Sequence, residues 1–161
     1  MAGVNLTISQ TGFDKVASAF KQLSDRGDDL QPAMSAIGEY LLGSNQDRME
    51  QGITPSGEAF APLSDVTIAR KNKNQTTPLI HNGYLFNLVY QATSEAMELG
   101  TPMIYGAVMF YGAKQGEFGR VNNHPVPWGD IPAREYLGIS SADEDEIAAI
   151  VGDFLLAGIG E

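Results

Sequence analysis

The chain has 161 residues, 43% of them hydrophobic, enough to bury one core and too many for wholesale disorder. Its formal charge of -10, from 20 acidic and 10 basic residues, opposes attraction to nucleic-acid phosphates and to anionic membranes. The absence of Cys removes disulfides and thiolate chemistry and fits a reducing compartment.

Val4, Leu6 and Ile8 alternate with Asn5, Thr7 and Ser9, which predicts a strand over residues 4–9 with one buried face. Thr11 and Asp14 resemble a capping box. Phe13, Val16, Ala17, Phe20 and Leu23 follow at helical spacing, so a helix is expected over 12–24. Asp28 or Asp29 can cap a second, longer helix, with Pro32 in its first turn and Gly52 as its stop. Met34, Ile37, Tyr40, Leu41 and Met49 mark its expected buried side. No stretch reaches the roughly 20 apolar residues of a bilayer span, and no leader pattern stands at the N-terminus. A soluble protein made in the cytoplasm is expected.

From Gln51 to Asn82 the periodicity disappears while Pro, Gly, Asn and Thr accumulate, so a long loop is expected, carrying the basic cluster Arg70, Lys71 and Lys73. Residues 84–92 and 96–99 read as strands joined by a turn at Thr93-Ser94-Glu95, and 105–111 as a short buried helix. Residues 114–130 form a second loop. Ser141 with Glu144 gives a capping box for a final helix over 142–157, whose stripe is Ile147, Ile150, Val151, Phe154 and Leu155. The acidic run Asp143 to Glu146 complements the helix dipole in its first turn. One α+β domain follows: a central antiparallel sheet packed by N-terminal helices and a C-terminal helix, with long loops.

No catalytic or cofactor pattern emerges. His81 and His124 stand in separate loops, no phosphate-binding glycine motif opens a helix, and no nucleophile elbow is present, so neither metal nor cofactor is expected. The acidic run lacks the ligand spacing of a calcium loop. The positive signals are proline-pinned apolar anchors in loops: Phe60 and Leu63, Leu79 and Ile80, and Trp128. Such groups suit protein–protein contact. Arg134, placed by Pro132 just ahead of Tyr136, is expected to hydrogen-bond in a buried or interface position through its fork of donors, and Tyr136 is expected at the interface with it.

Taken in order, four segments resemble the phage virion morphogenesis family, the tail completion proteins of Mu-like phages and relatives. They are Gly57 to Ser64 with Thr67 and Lys71, Pro78 to Leu85, Met97 to Thr101 with Tyr105 to Ala107, and Ile131-Pro132-Ala133-Arg134-Glu135-Tyr136-Leu137-Gly138. Asn82 and Met109 to Gly112 depart from the family's usual residues. The resemblance implies a structural virion protein of the neck or tail terminus that completes the tail as a homo-oligomeric ring, taken as hexameric. Its partners would be itself and other neck and tail proteins, with DNA only as passing cargo. A rival expectation is a small regulatory or inhibitory binding protein.

Overall fold

The computed structural model describes Lys21 and residues 29–117, 120–121, 124–125 and 129–157. The elements expected over 4–9 and 12–24 lie outside them, Lys21 apart. In chain order the described residues form α1 (Gln31–Gln51), α2 (Asp65–Arg70), β1 (Val89–Ala92), β2 (Met97–Gly100), α3 (Gly106–Tyr111), β3 (Arg120–Val121), β4 (His124–Pro125) and α4 (Ser141–Ala157). The class is α+β.

Helix α1 starts and stops where its sequence signals stand. Asp29 Oδ1 accepts from the Gln31 amide at 3.0 Å, and Gly52 leaves the helix at φ 72°, a left-handed backbone that favours glycine. Its buried side is Ala33, Ile37, Leu41, Asn45, Arg48 and Met49, whereas Met34 and Tyr40 are only half-buried. The stripe is thus rotated slightly from the expected one, because two polar residues are drawn into the interior.

The chain divides into two compact units. One comprises Val89–Gly100 with, among the described residues, 29–44 and 139–157. Its core is Ile37 and Leu41 of α1 packed with Ile147 and Val151 of α4, edged by Tyr40, Met97, Leu99, Ile139 and Ile150. Full burial of such side chains contributes about 1.5–3 kcal/mol each. Strands β1 and β2 pair antiparallel, Val89 opposite Gly100 and Ala92 opposite Met97. Thr93 closes their turn by accepting from the Glu95 and Ala96 amides. The expected first strand is shorter than its apolar run, since 84–88 turn into the other unit.

Helix α4 is capped one residue earlier than expected. Ser140 Oγ accepts from the Asp143 amide at 3.2 Å, and Asp143 returns the bond by accepting from the Ser140 amide at 2.7 Å. Ser140 and Asp143 therefore form the box. Asp143 is only 1% exposed and also accepts from the hydroxyls of Tyr40, at 3.0 Å, and Ser44. It is a buried tie between α1 and α4, not a solvent-facing member of the acidic run.

The second unit comprises Asn45–Leu88 and Thr101–Gly138. Its buried side chains include Met49, Phe60, Leu85, Leu88, Tyr136 and Leu137. The loop expected over 51–82 contains structure of its own: a bridge between Ile53 and Ala59, and α2. Ser64 caps α2 by accepting from the Thr67 amide at 3.3 Å. The helix buries none of its residues, so it leaves no apolar period to read. A short helix forms at Gly106–Tyr111 as expected, but it is not the buried one expected: Gly106 alone is buried and Tyr111 is 65% exposed. The second loop carries the two-residue pair β3 and β4, Arg120 opposite Pro125. Among the described residues no helix is long and apolar enough to cross a membrane.

Candidate functional site

Apart from Met97–Gly100, which belongs to the first unit, the segments that carry the family resemblance lie in the second unit, where Arg134 ties two of them together. Its side chain is 6% exposed; Nε donates to the Ala61 carbonyl at 2.8 Å and Nη2 to the Pro62 carbonyl at 2.9 Å. Burial lowers the guanidinium's pKa. A cation is nevertheless held there because two carbonyls replace part of its hydration, with the forked geometry that Arg alone supplies. The Arg134 amide in turn donates to the Met109 carbonyl at 3.0 Å, so one residue ties 61–62 to the end of α3.

Tyr136 is 1% exposed and donates its hydroxyl to the Gly106 carbonyl at 3.1 Å. Burial, and to a lesser degree Tyr105, pushes that hydroxyl far above the ordinary tyrosine range. Phe110 packs edge-on against its ring at 5.8 Å. Gly106 is required by this contact, because a Cβ there would stand 2.5 Å from Thr101 Cγ2 and 3.0 Å from the Tyr136 hydroxyl. At the end of α3, Gly112 has φ 74° and lies so close to Ile131 and Ala133 that a Cβ would meet their backbone at 2.6 and 2.7 Å. Ala113 and Ile131 then exchange both backbone hydrogen bonds, at 2.9 and 2.8 Å.

Lys71 closes the loop after α2. Its ammonium donates to the carbonyls of Thr77 at 2.7 Å and Ile80 at 2.8 Å, and burial lowers its pKa. The clamp spans Leu79, which stands at φ 63°, a conformation that L-residues adopt at a cost and that the surrounding bonds must hold. His81 lies in the same loop, its Nδ1 3.3 Å from the Lys73 carbonyl. Among the described residues no three His, Asp or Glu gather as metal ligands.

Of the anchors picked out in the sequence, Phe60, Arg134 and Tyr136 are buried in this unit, and Leu63, Leu79 and Ile80 are half-buried. Trp128 lies outside the described residues. Arg134 and Tyr136 thus stand two residues apart in the chain and support two different segments, the 61–62 loop and α3. Sequence reasoning missed Asn45 and Arg48, which take both backbone groups of Gly138: the amide donates to Asn45 Oδ1 at 2.9 Å, and Arg48 Nη2 donates to the carbonyl at 2.8 Å. Their signal is a polar pair three residues apart on the apolar side of an amphipathic helix. An open cleft of about 580 Å³ lies between Tyr111 to Lys114 and Asp130 to Ala133. The Lys114–Asp130 ion pair at its rim, 2.9 Å long, is exposed and of little energetic weight.

The positions carrying the resemblance therefore have geometric roles: Ser64 caps, Lys71 clamps, Arg134 and Tyr136 tie, and Gly138 is gripped on both sides. No curated protein and no solved structure matches the chain significantly. The model of the phage virion morphogenesis family matches residues 12–155, nearly the whole length, and the protein belongs to that family.

Proposed function

We propose that this protein is a structural, non-catalytic virion subunit that completes the phage tail at the neck or head-proximal end. It acts there as a homo-oligomeric ring, hexameric in our reading, assembled in the host cytoplasm. Membership of the virion morphogenesis family over residues 12–155 carries this reading. The site supports it, since a set of loops held by buried side-chain ties is a rigid surface for protein contact rather than a pocket converging on a reacting atom. Leu63, Leu79, Ile80 and Trp128 are the candidate contacts with neck and tail proteins; Arg134 positions the backbone just before Leu63, and Lys71 that around Leu79 and Ile80. The formal charge of -10 suits a lumen through which DNA passes without being held.

Electron microscopy of particles made without this protein tests the proposal. Filled heads and finished tails should accumulate separately, and joined particles at the normal yield would overturn it.

A further inference from the structure

Among the described residues, nothing buries the outward face of α2. None of its residues is buried, Val66 is 59% exposed, and Ala69 and Arg70 lie beside it on the helix surface. Lys73, just past the helix end, is exposed as well, while Lys71 between them turns inward to its two carbonyls. Among the described residues neither Arg70 nor Lys73 forms an ion pair. The result is a small apolar face with two outward cations, on a molecule whose net charge is -10.

Helix α4 carries the complementary face. Ile147 and Val151 point into their core, and Asp145, Ala149, Asp153 and Leu156 share an exposed arc of roughly 80° on the other side. Leu156 is 69% exposed, and among the described residues neither acid is ion-paired. Apart from Asp65 in the first turn of α2, each face thus pairs apolar groups with charges of one sign, and the signs are opposite.

We infer that α2 of one copy docks against α4 of a second copy, head to tail. This inference rests on the ring reading above and specifies which surfaces make the ring. The occupant is argued from charge: the cations of α2 need an acidic apolar surface, and every copy of this chain presents one. The two surfaces are different, so the contact is heterologous and repeats until it closes. Two faces this small cover only part of the roughly 1,200–2,000 Å² of a stable interface. The contact is therefore weak singly and depends on closure, where each copy is held twice.

Charge reversal tests it on the full chain, with sedimentation reading association and circular dichroism reading the fold. One variant carries Arg70→Glu and Lys73→Glu, the other Asp145→Lys and Asp153→Lys. Each alone should fold but associate at least tenfold more weakly than the unaltered chain, because like charges then face each other. Mixed in equal amounts, the two should associate again, since both kinds of alternating contact become attractive. Unimpaired assembly of either variant alone, or no recovery on mixing, would overturn the docking while leaving the ring reading intact. An unaltered chain that stays monomeric at all concentrations would instead remove the ring reading, and the docking with it.

Discussion

Asn45 accepts a hydrogen bond from the Gly138 amide at 2.9 Å across 93 residues of sequence, from a helix position with no solvent exposure. One turn further along α1, Arg48 takes the Gly138 carbonyl at 2.8 Å. A glycine at the end of the Ile131 to Gly138 segment is thereby fixed through both of its backbone groups.

Removing the acceptor while filling the space tests that bond. Asn45→Leu should cost about 1–3 kcal/mol, because the Gly138 amide loses its partner away from water. Asp47→Ala, on the exposed side of the same helix, should stay within about 0.5 kcal/mol. Urea unfolding midpoints measure both, and equal effects would show that Gly138 is held by other means.

The Arg134 fork should not tolerate its nearest chemical relative. Arg134→Lys keeps the charge but cannot meet the Ala61 and Pro62 carbonyls in the same plane, so about 1.5–3 kcal/mol should be lost. Assembly should weaken with it, because the loop carrying Leu63 loses its tie. Unchanged stability together with unchanged assembly would deny Arg134 both roles.

Two glycines of α1 should respond in opposite directions to the same substitution. A Cβ at Gly38 would stand 2.4 Å from the ring of Tyr90, whereas one at Gly43 meets nothing within 4 Å. Gly43→Ala should stabilise by about 0.5–1 kcal/mol, the helical advantage of alanine over glycine. Gly38→Ala should destabilise by about 1–3 kcal/mol despite that advantage, because the ring must move. Thermal unfolding decides, and a stabilised Gly38→Ala would show that Tyr90 yields freely.

Stability should fall in alkali. Burial leads the causes that raise the hydroxyls of Tyr40, Tyr105 and Tyr136 above the ordinary value of 10.0. The unfolded tyrosines ionise first, so above pH 10 the unfolded state binds fewer protons and gains. The stabilisation is present in full below the unfolded value and is lost as pH rises toward the folded ones, by at most about 1.4 kcal/mol per pH unit for the buried Tyr136 and by less for Tyr105, which is 37% exposed and screened by solvent. Tyr136→Phe should be less stable at neutral pH through loss of its bond to Gly106, yet decline less steeply in alkali. Urea titrations on both sides of pH 10 give the two slopes, and parallel decline would exclude Tyr136 as a contributor.

What the sequence determined by itself is what short range dictates. The span of α1 follows from Asp29, Pro32 and Gly52, and that of α4 from its apolar stripe, because a helix is built from bonds between residues four apart and stopped by the backbone freedom of single residues. A buried, hydrogen-bonded Arg134 was also legible from its neighbours. Helix α2 was not, since a helix that buries nothing has no period to read. Nor was the cap of α4, where Ser140 and Ser141 offer competing boxes. The choice fell to Ser140 because its partner Asp143 is also wanted by Tyr40 and Ser44, about a hundred residues earlier in the chain. The carbonyls taken by Arg134, Tyr136 and Arg48 were beyond reach for the same reason: a backbone acceptor carries no side-chain signature, and only tertiary packing decides which one a buried donor meets.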